Sequence, residues 1–159
     1  MRYARRISAS MHRHKQQTAG PKPAVFTVKG ATALQENTPT LHTDRLILRR
    51  FALHDDKALF ALLRDEEVNR FLPWFPFASL GQTQAHLQSF YLDSYRLPFG
   101  CRYAVCLKED DTPIGYVHLS QTDSYDFGYA LRRECWGQGI IPEAGRAVLA
   151  WLKGQGLPY

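Results

Sequence analysis

One stretch, residues 125–154, constrains the fold more than any other, because its hydrophobic period changes across a pair of glycines. In Tyr125, Phe127, Tyr129 and Leu131 bulky apolar residues fall at every second position, the period of a strand with one face against a core. Asp126, Gly128, Ala130 and Arg132 take the other face. From Ala144 the spacing turns helical: Ala144, Ala147, Val148, Trp151 and Leu152 form one stripe, and Gly154, Gly156 and Pro158 stop it. Between strand and helix lies Trp136-Gly137-Gln138-Gly139. Two glycines one residue apart let the backbone turn sharply and bring its N–H groups close to a ligand, where a helix leaves its first donors unpaired. That geometry suits phosphate, and a ligand-free turn would use the same residues. No Gly-Lys-Ser/Thr follows, so this is not a P-loop, and the third glycine of a dinucleotide fingerprint is absent.

The residues before it read as support. Leu46 and Leu48 lie on one face of a first strand, with Arg45, Ile47 and Arg49 on the other. Asp55 and Asp56 open a helix whose Leu59, Leu62 and Leu63 face inward, the acids suiting the positive end of its dipole. Phe71-Leu72-Pro73-Trp74-Phe75-Pro76-Phe77 is too proline-rich for a regular element, and is either a lid over a hydrophobic substrate or a packed connection. Ser79-Leu80-Gly81-Gln82 fits a capping box, and a second helix runs to about Tyr95 with Leu87, Phe90, Tyr91 and Tyr95 inward and His86 on its outer face. Residues 103–107 and 114–119 form a hairpin around a turn at Glu109–Pro113, and Asp123-Ser124 mark the next turn. Consecutive strands joined by short turns are antiparallel neighbours. The fold class is therefore α+β, a mixed, mainly antiparallel sheet flanked by helices.

The 159 residues fit one domain, and no apolar run approaches the roughly 20 residues of a membrane span. The net charge of +5 is concentrated at the start, where residues 1–30 hold seven Lys/Arg and no acid. Residues 1–40 lack either apolar period and read as a basic, disordered leader, which would be a solvated tail, a transit peptide or an arm touching RNA or acidic lipid. The remainder is slightly acidic, which argues against a nucleic-acid face on the domain. Cys101, Cys106 and Cys135 form neither an even set nor a C-x-x-C pair, so a reducing cytoplasm is the expected setting.

Phe127-Gly128-Tyr129, Trp136-Gly137-Gln138-Gly139 and Pro142-Glu143-Ala144, with Thr43-Asp44-Arg45-Leu46-Ile47-Leu48-Arg49 upstream, together resemble the GNAT (GCN5-related) N-acetyltransferases. The closest resemblance is to the branch that acetylates ribosomal-protein N-termini and to its small-molecule relatives. The resemblance covers residues 41–159 and implies acetyl-CoA as co-substrate, without a metal. It implies that backbone N–H groups from Trp136, Gly137, Gln138, Gly139, Ile140 and Ile141 cradle the pyrophosphate, and that the backbone at Ala130 and Leu131 holds the pantetheine arm.

The acceptor would be a primary amine, of a small molecule or a protein N-terminus, attacking the thioester directly. Asp126 is the first candidate base, from its position two residues before Gly128, and His118 the second. Glu143 is expected to be structural and Cys135 a packed thiol rather than a nucleophile. Against the family's pattern the chain is expected to be truncated after the third helix, leaving residues 125–131 as an exposed edge through which two copies could pair. Two further readings stay open: a catalytically defective or split CoA-binding module, and a ribosome- or RNA-associated protein using the basic leader.

Overall fold

The structure is a computed structural model that describes residues 37–72, 74–97, 100–119 and 126–155. The basic leader up to residue 36, Pro73, the turn at Asp123-Ser124, Tyr125, Gly156 and Pro158 lie outside the described residues.

Five strands, β1 (Leu41–His42), β2 (Leu46–Arg49), β3 (Arg102–Leu107), β4 (Asp110–Leu119) and β5 (Phe127–Leu131), form one sheet in the order β1-β2-β3-β4-β5. Every described pairing is antiparallel. The expected turn at Glu109–Pro113 is shorter than the sequence suggests, because β4 already begins at Asp110, opposite Leu107. Pro113 is accommodated within the strand where the register against Cys106 is irregular, so no regular ladder bond is lost to its missing N–H.

Helix α4 (Ile140–Gly154) lays Ile140, Ala144, Val148 and Leu152 on one face of the sheet, against Leu46, Leu48, Tyr103, Val105, Val117, Leu119 and Leu131. This is the helical stripe legible in the sequence, extended by Ile140. The opposite face carries α1 (Asp56–Leu63), α3 (Leu80–His86) and the turns that continue it, which bury Leu59, Leu62, Leu63, Leu87 and Tyr91 against Ala104, Cys106, Tyr116 and Ala130. A short α2 (Glu66–Asn69) follows α1, capped by Asp65, whose carboxylate accepts from the Glu67 and Val68 N–H groups. With both sheet faces covered, β3 reads as a continuous apolar run rather than an alternation. Tyr129, expected to face the core, is instead 52% exposed, because it borders an open cleft between β5 and α4.

Ser79 caps α3 as expected, its hydroxyl accepting from the Gln82 N–H at 3.2 Å. Gln82 reaches back to the N–H of Ala78 rather than to that of Ser79. The helix then widens into a π segment, Leu87–Leu92, and tightens into a 3-10 turn, Asp93–Arg96. That change of pitch corrects one expectation. His86 lies not on an outer face but half-buried among the rings of Phe77, Phe90 and Tyr91. Tyr95 ends the segment, its hydroxyl accepting from the Phe51 N–H and donating to the Arg102 carbonyl.

The connection after α2 is packed in part. Phe71 and Phe75 are 89% and 91% exposed, whereas Phe77 packs against the α1–α3 cluster and the Trp74 indole donates to Asn69 Oδ1.

Candidate active site

The strand-to-helix loop is built as its glycines require. Gly137 and Gly139 have φ of 72° and 73°, the left-handed region that costs a side chain about 1–2 kcal/mol. Gly139 is the N-cap of α4, and no side chain caps the helix there. The first turn therefore presents the Ile140 and Ile141 N–H groups without a partner among the described residues, while Pro142 contributes no donor and Glu143 N–H bonds the Gly139 carbonyl.

Arg45 and Glu143 set this loop against β2. Glu143 accepts from the Thr43 hydroxyl at 2.5 Å, from the Arg45 N–H at 3.1 Å and from Arg45 Nε at 2.8 Å. Those bonds, the Thr43 hydroxyl first, hold its carboxyl below the usual carboxylate range. They also turn it toward the β1–β2 turn, away from the loop's open side, which bears out a structural role. Arg45 Nη1 in turn donates to the Gln138 carbonyl. The Gln138 side chain is turned into the loop, donating to the Glu134 carbonyl at 2.9 Å.

A cleft of about 280 Å³ opens beside the loop, lined by Tyr129, Ala130, Leu131, Gly137, Gly139 and Ile141 among others. The geometry divides the expected cradle. Trp136 spends its N–H on the Arg133 carbonyl, and its indole donates to the Leu131 carbonyl at 2.7 Å. It therefore walls the cleft instead of supplying a backbone donor. The Arg132 N–H bonds Ile114 across the ladder, so by antiparallel alternation Ala130 pairs inward with Tyr116, while Tyr129 and Leu131 turn their backbone groups outward. Tyr129 thus takes the position expected of Ala130. Finding it requires counting the ladder from a known hydrogen bond, and no such bond is visible in a sequence.

The two candidate bases stand differently. Asp126 is exposed, one residue before β5. His118 pairs with Gly128, and a Cβ at Gly128 would lie 2.2 Å from His118 Nε2, so the glycine exists to admit the imidazole. His118 stacks on Tyr116 with ring centroids 5.5 Å apart and meets the edge of Phe90. Burial, with Arg102 and His86 beside it, pushes its pKa down to about 4. Its Nδ1 is buried without a hydrogen-bond partner among the described residues. At neutral pH His118 is an uncharged hydrogen-bonding group, and too acidic as a cation to hold a proton taken from an amine. Cys135 is partly buried, and burial raises its thiol above the ordinary range, so it is no thiolate nucleophile. Cys135→Ala is expected to change acetyl transfer by less than roughly twofold, measured as kcat/KM; a collapse of turnover would restore a covalent role. Among the described residues no cluster of His, Cys, Asp and Glu could hold a metal ion.

An antiparallel sheet with an open glycine-rich helix N-terminus beside its last described strand has a geometry that suits a phosphorylated ligand. The acetyltransferase (GNAT) domain pattern matches residues 45–159, and the chain belongs to that family. It is 31% identical over 115 residues to p20 of Bacillus licheniformis, an uncharacterized N-acetyltransferase; the match covers 69% of this chain and 64% of that protein. The chain thus spans slightly under two thirds of that relative's length. The fold is shared with a GNAT-family acetyltransferase of Bacillus anthracis, at TM-score 0.64 and 19% identity over 75% of this chain and 69% of that one. A ribosomal-protein-S5-alanine acetyltransferase of Vibrio fischeri has it too, at TM-score 0.56 and 20% identity over 75% and 70%.

Proposed function

We propose that the chain carries the acetyl-CoA site of an N-acetyltransferase that moves the acetyl group directly to a primary amine. The observation that carries this reading is the uncapped N-terminus of α4, entered through two left-handed glycines, opening on a cleft along the outer edge of β5. Family membership supports the same chemistry. Acetyl-CoA supplies an activated acyl group; the protein supplies orientation and a place for the amine's proton. The Gly139, Ile140 and Ile141 N–H groups would hold the pyrophosphate, and the outward backbone groups of Tyr129 with the Leu131 N–H the pantetheine arm, the Leu131 carbonyl being taken by the Trp136 indole. Asp126 is the residue we assign to accept the proton, directly or through water, and His118 orients the acceptor by hydrogen bonding. The acceptor is a small-molecule amine or a protein N-terminus, the latter favoured by the likeness to the Vibrio fischeri enzyme. Three free cysteines suit a reducing, cytoplasmic setting. Among the described residues no helix is long and apolar enough to cross a membrane.

Thermal unfolding in the presence of acetyl-CoA tests the site. At a hundred times its dissociation constant the ligand adds about 2.7 kcal/mol, a rise of roughly 5–10 °C in the midpoint. Gly139→Val should fold and lose that rise, while Gly139→Asn, which tolerates a left-handed backbone, should keep most of it. A wild-type transition indifferent to acetyl-CoA would overturn the reading.

A further inference from the structure

Several guanidinium groups that fold back on this domain meet a carboxylate there. Arg45 pairs with Glu143 at 2.7 Å, Arg49 with Asp55 at 2.7 Å and Arg133 with Asp65 at 2.9 Å. Arg102 does not. It is half-buried at the start of β3, and among the described residues no Asp or Glu pairs with it. Its surroundings are aromatic and neutral: the guanidinium lies 3.9 Å from the centre of the Phe90 ring, and His86, His118, Tyr91 and Tyr95 are its electrostatic neighbours. The hydrogen bond its side chain makes among the described residues is Nη1 donating to the Phe90 carbonyl. Arginine presents five N–H donors and stays charged, so four remain for another acceptor.

The position gives those donors a purpose. Arg102 is the cross-strand partner of His118, and His118 is the partner of Gly128, two residues along β5 from the Ala130 that lines the cleft. Two residues of strand are about 7 Å, and each step across the sheet, from β3 to β4 and from β4 to β5, adds about 5 Å. We propose that Arg102 binds an anionic group of the acceptor, so that the substrate is an amine carrying a carboxylate, its apolar side chain resting on Phe90. This rests on the acetyl-transfer reading, which places the acceptor beside His118. The Phe90 ring fits the side chain of such a molecule, and the desolvated guanidinium, with no carboxylate partner among the described residues, fits its acid group. The carboxylate has two sources, the α-carboxylate of a free amino acid or the acidic side chain of a peptide N-terminus.

Two matched pairs of acceptors separate them: L-phenylalanine against L-phenylalaninamide, and Ala-Asp-amide against Ala-Asn-amide. A charge-assisted bond to Arg102 predicts a kcat/KM preference for the acid of about tenfold or more in one pair. Preference in the first pair assigns the free amino acid, and in the second the acidic peptide; equal rates within both pairs overturn the proposal. Arg102→Met keeps the stem over Phe90 and should bring the ratio close to one, whereas Arg102→Lys should keep part of it. A wild-type ratio in Arg102→Met also overturns the proposal. The His86 and His118 imidazole signals give a second readout, by NMR, with L-phenylalanine and Ala-Asp-amide as probes and CoA present. Should no amine be acetylated, the transfer reading fails, and a shift of those signals that Arg102→Met abolishes still establishes the carboxylate site; no shift from either probe rejects it.

Discussion

Asp55→Ala is expected to lower the midpoint of thermal unfolding by roughly 10 °C or more, the largest loss predicted for any single substitution here. Asp55 is 3% exposed and accepts three bonds, from Arg49 Nη1 at 2.7 Å, Arg49 Nη2 at 3.0 Å and the Ala52 N–H at 2.7 Å. The fork geometry is bidentate, and it fastens β2 to the start of α1. The Asp55 bond is the largest influence raising the already high pKa of Arg49, so the charge cannot be shed when its partner goes. Removing one member of a buried pair costs about 3–5 kcal/mol, and here it leaves the Arg49 charge to the exposed Asp111. Arg49 also meets Asp111, but that carboxylate is 63% exposed, and Asp111→Ala should cost no more than about 1 kcal/mol. Equal losses from the two variants, read from urea midpoints, would show that the pair contributes nothing particular.

Acidification should weaken the fold through His118. Its folded pKa is lowered from 6.5 to about 4, so between those values the unfolded chain binds a proton that the folded one refuses. The associated stability is present above pH 6.5 and is lost progressively as pH falls toward 4, by about 2–3 kcal/mol after discounting its partial exposure. His86, lowered first by burial and then by Arg102, acts in the same direction. Comparing urea midpoints at pH 7.5 and pH 5 for the wild type and His118→Gln isolates the contribution. If the substitution leaves the pH dependence as steep as before, the imidazole is not the group responsible.

What the sequence revealed depended on how local the cause was. The α4 stripe, the positive φ at Gly137 and Gly139 and the Ser79 cap follow from residues within a few positions of one another, and all were legible. The site was half-legible. The glycine loop announced itself, but which residues of β5 turn their backbone outward depends on pairing with β4, a relation between distant segments. Asp55 looked like an ordinary first-turn acid, because its partner Arg49 stands on a strand whose alternation gave no hint of what its polar face would meet. His86 was misjudged for a related reason. A constant helical pitch puts it outside, and nothing in Leu87–Leu92 signals that the pitch will change. Arg102 carried no signal at all, since an arginine at the start of a strand is commonplace and its lack of a carboxylate partner among the described residues exists only in three dimensions.

The π segment has one more consequence. A helix of uniform pitch fixes the angular relation between its two ends, so a side chain well placed at one end dictates what the other end can reach. The wider turn at Leu87–Leu92 introduces a phase slip between them. Upstream, His86 is aimed at Phe77 and Phe90; downstream, the Tyr95 hydroxyl arrives between the Phe51 N–H and the Arg102 carbonyl. Deleting a single residue there would restore a regular coil and rotate everything after it by about 100°. The segment works as a coupling between two independently aligned halves, one set by the ring cluster and the other by the sheet.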